Sequence, residues 1–159
     1  MKDKLFEIVR WAAVLAAIVL LIVLGAGSRS SDAALQDVQT AVLSQLDTSN
    51  MQPADNQMFK RLYGIQPADY EGVCLYYPSS NMDAEELLIV KLRDPDQQQA
   101  VLEAVERRLQ TQKNSFDGYG VEQFDLLSNH SVIEAQGNYI LFVVSSQSEA
   151  AKQAFLDAL

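Results

Sequence analysis

The chain has 159 residues, 12 of them Lys or Arg and 21 Asp or Glu, for a net charge of −9; 48% are hydrophobic. Residues 31–159 hold 8 of the basic and 19 of the acidic groups, a net of −11, which argues against a nucleic-acid surface built from clustered Lys and Arg. One Cys and one His exclude a disulfide framework and a structural zinc site made by this chain alone.

Trp11–Gly27 carries no charge, and Ala12–Leu24 is only Ala, Val, Leu and Ile. At about 1.5 Å per residue a helix of this length reaches roughly 26 Å. A bilayer core is about 30 Å thick, so Ile8 and Val9 must join the span or the bilayer must thin. Trp11 stands where an interfacial aromatic belongs, and Lys2, Lys4 and Arg10 precede the run while only Arg29 closely follows it. The positive-inside rule then keeps the amino end in the cytoplasm and exports the rest.

The expectation is a single-pass signal anchor that engages the membrane through residues 8–27. Residues 1–27 form the cytoplasmic tip and anchor, 28–34 a linker, and 35–159 an extracytoplasmic domain. Two alternatives stay open. Gly25-Ala26-Gly27-Ser28 supplies small residues for a signal peptidase, which would make the domain a secreted one. A buried soluble helix, apolar on all faces, would need a much larger protein around it. Leu24-Gly25-Ala26-Gly27 has the outline of a lipoprotein signal with Gly27 in place of the lipidated Cys, so no lipid attaches there.

Beyond the linker, Asp32 is read as the cap of a helix with Leu35, Val38, Val42 and Leu46 on one face. A second helix is expected from about Asp55, with Met58, Phe59 and Leu62 inward and Gly64 as its stop. Gly72–Tyr77 and Glu86–Arg93 read as strands joined by a turn. The second has Leu88, Val90 and Leu92 on one face and Leu87 and Ile89 on the other, as in a partly covered central strand. Asp94-Pro95-Asp96-Gln97 is a helix start of the capping-box type, leading into a helix with Val101, Leu102, Val105 and Leu109 inward that stops near Asp117-Gly118. Tyr119–Asn129 is ambiguous between loop and helical turn. Val132–Ala135 and Tyr139–Val144 read as a hairpin around Gly137-Asn138. Ser146 and Glu149 read as a capping box that opens a last helix, with Ala151, Phe155 and Leu159 inward.

The order is ααββαββα. The simplest packing is an α+β domain with a four-stranded, mostly antiparallel sheet and helices on one face. The repeated Gln-Pro-Ala-Asp at 52–55 and 66–69 reads as coincidence, because Pro and Asp are common where elements start.

A search for chemistry finds little. His130 has only the loop residues Asn129 and Ser131 beside it, not a catalytic set. Cys74 sits between Val73 and Leu75 in a predicted strand, where a thiol behaves as a small hydrophobe. Asp83, Glu85 and Glu86 cluster at the hairpin turn, without the spacing of a calcium loop; Asp94 is better read as a cap. No nucleophile elbow, phosphate loop or dinucleotide fingerprint is present. Lys60-Arg61 and Arg107-Arg108 are isolated pairs on helices. No cofactor and no metal are expected.

The most distinctive stretch is Tyr76-Tyr77-Pro78-Ser79-Ser80-Asn81-Met82-Asp83. Its bland reading is a strand end whose rings cover the sheet edge. Its functional reading is a recognition loop, because rigid aromatics with small polar neighbours make good contacts; Tyr63, Tyr70 and Tyr119 are candidates to share that surface.

Leu62-Tyr63-Gly64-Ile65, Tyr70-Glu71-Gly72, Tyr76 through Glu86, Phe116-Asp117-Gly118-Tyr119 and Gly137-Asn138-Tyr139 carry a resemblance. From roughly Leu35 to Leu159 the chain resembles the bacterial family called domain of unknown function 4358. That resemblance implies a small secreted or singly anchored protein of Gram-positive bacteria, and it brings no activity, cofactor or catalytic residue. The absence of a Cys at Gly27 departs from the lipoprotein members and favours a helical anchor.

The expected function is non-enzymatic: an anchored extracytoplasmic domain that binds a protein or cell-envelope component. Tyr76, Tyr77, Ser80, Asn81, Met82, Asp83, Glu85 and Glu86 would be its contact surface. The alternative is an enzyme or accessory factor of envelope-polymer modification, with Asp83, Glu85 or Glu86 as acid, base or metal ligand.

Overall fold

The computed structural model describes residues 30–159; the anchor expected at residues 8–27 and the start of the linker lie outside them. Among the described residues no helix is long and apolar enough to cross a membrane.

In chain order the elements are α1 (Leu35–Leu43), β1 (Met51–Pro53), α2 (Asn56–Tyr63), β2 (Gly72–Pro78), β3 (Glu86–Lys91), α3 (Gln98–Phe116), α4 (Val121–Asn129), β4 (Ser131–Gln136), β5 (Tyr139–Val144) and α5 (Ser148–Asp157). Short 3₁₀ turns occupy Pro67–Asp69 and Pro95–Gln97.

The fold is α+β, as expected, but its sheet has five strands rather than four, in the order β1-β2-β3-β5-β4. Every neighbouring pair is antiparallel. The added strand, β1, pairs Met51 with Pro78 and Pro53 with Tyr76. Three residues are too few to show a period of two, and Pro53 is tolerated because β1 is an edge.

The helices cover both faces of the sheet, which corrects the expectation of one covered face. Every residue of β3 and of β5 is buried. On one face Leu88, Val90, Ile140 and Phe142 pack with Phe59 of α2, Val101 and Val105 of α3 and Leu127 of α4. On the other, Leu87, Ile89, Leu141 and Val143 pack with Val38 and Val42 of α1 and Ala151 and Phe155 of α5. A central strand that is apolar on both sides needs a cover on both sides, since each large side chain gains about 1.5–3 kcal/mol by leaving water.

Some local signals hold and others do not. Asp55 caps α2 by accepting from the Met58 amide, and Gly64 ends it in the left-handed region at φ 74°. Asp94 and Gln97 form the capping box expected ahead of α3. The ambiguous stretch is the helix α4. Asp32 does not cap α1, whose N-cap is Ala34. The Ser146–Glu149 box is absent: α5 starts one residue later, at Ser148, with Gln147 at its N-cap and no side-chain cap.

Where the chain meets the sheet from its amino-terminal side is well fixed. The Ser31 amide donates to Asn138 Oδ1 at 2.7 Å, and Ser31 Oγ to the Leu159 carbonyl at 2.9 Å. The Ala33 carbonyl accepts from Lys91 Nζ at 3.0 Å and from the Tyr139 hydroxyl at 2.7 Å. Lys91 and Tyr139 face each other at one end of the β3–β5 pair; Glu86 and Val144 face each other at the opposite end.

Candidate functional site

At the Glu86 end of the sheet a groove of about 480 Å³ opens between the β2–β3 turn, α2 and the carboxyl-terminal half of α3. Arg61, Tyr77, Ser80, Arg108, Gln112 and Tyr119 are among the residues that line it. Its size falls in the range of about 300–1,000 Å³ usual for small-molecule sites.

The floor is a buried polar network. Glu86 is fully buried at the start of β3, on the same face as Leu88 and Val90. Arg108 Nε lies 3.2 and 3.1 Å from its two oxygens, and Nη2 lies 2.6 Å from Oε2. The Tyr63 hydroxyl donates to Glu86 Oε1, and Gln112 Nε2 donates to Oε2 at 3.1 Å. Burial, then the charge of Glu86, pushes the Tyr63 phenol well above its ordinary 10.0. Burial works against the Arg108 charge, but the hydrogen bonds and charge of Glu86 outweigh it and raise its pKa.

Two polar groups of this network have no partner among the described residues. Gln112 is 5% exposed, and its Oε1 has no hydrogen-bond partner. Turning the amide over would set that oxygen against the Glu86 carboxylate, so the free group is the acceptor. An unmet buried acceptor costs about 1–3 kcal/mol. Arg108 spends Nε and Nη2 on Glu86, and its Nη1 has no hydrogen-bond partner among the described residues. Arg108 and Gln112 are four residues apart, neighbours on one helix face.

The walls come from loops. Asp83 Oδ2 accepts from Ser80 Oγ at 2.8 Å, and Ser80 Oγ accepts from the Met82 amide at 3.1 Å, which braces the turn. On the other side Tyr119 is 64% exposed and its ring centroid lies 6.0 Å from that of Phe116. Gly120 permits this close fold: a Cβ there would sit 2.5 Å from Phe116 Cδ1.

Of the eight residues expected as one contact surface, four lie outside the groove: Tyr76, Met82, Glu85 and Glu86. Tyr77, Ser80, Asn81 and Asp83 do line the groove. Met82 is exposed at the turn. Tyr76 points to the opposite face, against the cluster of Leu87 and Ile89, because successive strand residues alternate. Glu85 leans away to accept from Asn50 Nδ2 at 2.9 Å. Glu86 is not a turn carboxylate but the buried centre of the floor. Asp83, Glu85 and Glu86 thus have three different environments and form no carboxylate pair. Tyr119 joins the groove, Tyr63 lies beneath it as a ligand of Glu86, and Tyr70 is buried in the core.

Sequence reasoning missed Arg108 and Gln112. Their signal is present: they continue the inward row Val101, Val105 at spacings of three and four, and a polar pair on an apolar face calls for a buried partner. Elsewhere, burial pushes the Cys74 thiol up to about 12, which leaves it inert. His130 Nε2 lies 3.8 Å from Asp125 Oδ2 at the end of α4 and away from the groove. Among the described residues no group of three or more His, Cys, Asp and Glu could hold a metal ion.

Fold and groove together define an α+β domain with a two-sided helical cover and an open polar cleft at the Glu86 end of its sheet. The chain belongs to the family described as Domain of unknown function (DUF4358), whose model matches residues 44–145. That match is narrower than the resemblance read from Leu35 to Leu159: it leaves out α1 and α5, and it contains every residue that lines the groove. No curated protein and no solved structure matches the chain.

Proposed function

We propose that this is a membrane-anchored, extracytoplasmic binding module whose groove takes a protein or polymer of the cell envelope. The observation that carries the reading is the placement of the groove. The chain comes in from its amino-terminal side at the Lys91–Tyr139 end of the sheet, through Ser31 and Ala33. The groove lies at the Glu86–Val144 end, five residue steps along β3. At about 3.3 Å per step that is roughly 17 Å further from the tether. With residues 8–27 in the bilayer, the groove faces away from the membrane and toward the envelope.

The contact surface is accordingly the groove rather than the whole turn: Tyr77, Ser80, Asn81 and Asp83 from the turn, with Arg108, Gln112 and Tyr119 opposite. Glu86 anchors its floor and Glu85 ties the turn to Asn50, while Tyr76 and Met82 lie outside it.

A photoreactive side chain placed at Ser80 of the full-length protein tests this in intact cells. Illumination is expected to give adducts at Ser80 and none at Gln99, an exposed residue of α3 outside the groove. Equal adduct formation at both positions, or none at either, would contradict the reading.

A further inference from the structure

The groove's charges cancel. Arg61 and Arg108 are matched by Asp83 at the turn and by Glu86 beneath the floor. The surrounding domain is strongly acidic, with a net of −11 over residues 31–159. A phosphate or carboxylate ligand would therefore meet no net positive field. It would also bring only acceptors, and would leave Gln112 Oε1 facing another oxygen.

The floor asks for a group that both donates and accepts. Gln112 Oε1 needs a donor, and Arg108 Nη1 needs an acceptor. A secondary amide offers an N–H and a C=O in one planar unit. The walls add a second requirement. Tyr77, half-buried against the core, and the exposed Tyr119 line the groove, with Ser79, Ser80 and Asn81 as its small polar residues. A peptide amide meets the floor but brings no sugar ring to the walls; a sugar hydroxyl also donates and accepts, but through a single oxygen, whereas an amide offers donor and acceptor on separate atoms of one rigid plane, to the two separate side chains of the floor. A sugar ring that carries an acetamido group meets both.

We infer that the groove is a saccharide site in which Gln112 and Arg108 hold the acetamido group of an N-acetylated amino sugar whose ring packs against Tyr119. This rests on the reading of the groove as a binding site and names its ligand class.

The test is calorimetric titration of the full-length protein in nanodiscs with three probes: a trimer of N-acetylglucosamine, the same trimer without acetyl groups, and cellotriose. The acetylated trimer is expected to bind, and loss of the acetyl groups is expected to weaken binding at least about tenfold, since unmet buried polar groups discriminate strongly. Gln112→Leu should remove that preference. Because Gln112 also supports Glu86, Tyr119→Ala supplies a second variant at an exposed position: it should weaken the acetylated trimer while the melting temperature holds. Equal binding of cellotriose overturns the inference. So does indifference to both variants, or binding of N-acetylalanine amide when no saccharide binds. If no saccharide binds up to about 10 mM while adducts still form at Ser80, the ligand class falls and the groove reading stands. If neither is seen, both fall.

Discussion

Arg108 Nη2 lies 2.6 Å from Glu86 Oε2, and the carboxylate it meets is fully buried. The pair joins α3 to the start of β3 and forms the groove floor. Arg108→Ala would strand a buried charge, so a loss of about 3–5 kcal/mol is expected in urea unfolding. Replacing both partners, with Glu86→Leu and Arg108→Met together, should cost far less, because no charge is left unpaired. A double variant no more stable than Arg108→Ala would show that the pair is not what holds this corner.

Tyr63 gives the fold an alkaline limit. Its phenol is held protonated well above 10.0 in the folded state, by burial first and the Glu86 charge second. A raised folded pKa means that stability is intact below about pH 10 and declines as pH rises above it, because the unfolded chain releases that proton earlier. Denaturation midpoints from pH 8 to 11 should be flat and then fall. Tyr63→Phe should flatten the fall, at the cost of one hydrogen bond to Glu86.

The second face of the sheet is part of the core, although α5 lies outside the matched family segment. Phe155 is fully buried, its ring 6.3 Å from that of Tyr139 in an edge arrangement. Phe155→Ala is expected to cost about 3–5 kcal/mol in chemical denaturation. A cost near zero would make α5 an appendage on a self-sufficient sheet.

Gly64 ends α2 at φ 74°, with open space where a Cβ would be. Gly64→Ala meets no clash, so its expected cost of about 1–2 kcal/mol is the left-handed backbone alone. Thermal unfolding of this variant measures that local strain, and an unchanged midpoint would contradict it.

Most of the fold is legible in the sequence because most of its signals are local. Asp55 and Gly64 bracket α2, Asp94 and Gln97 open α3, and Gly137-Asn138 turns the last hairpin. The two apolar faces of β3 also foretell a covered central strand. Sheet size and layering are less legible. β1 is three residues with a Pro, and α1 and α5 cover the far face through contacts distant in sequence. The groove was half legible. Tyr77, Ser80, Asn81 and Asp83 stand in one stretch, whereas Arg108 and Gln112 reach Glu86 from more than twenty residues on. Glu86 reads as one more turn carboxylate until its partners are in place.

Ser80→Cys tests the proposed presentation of the groove on the outer side of the membrane. The chain's own Cys74 is buried, with its thiol pushed up to about 12, so the new exposed thiol would be the reactive one. Intact cells expressing the full-length variant would be treated with a membrane-impermeant maleimide. Labelling at Ser80→Cys is expected before the membrane is broken, with none in the parent chain. Labelling that appears only after the membrane is dissolved would put the groove in the cytoplasm and contradict that proposal.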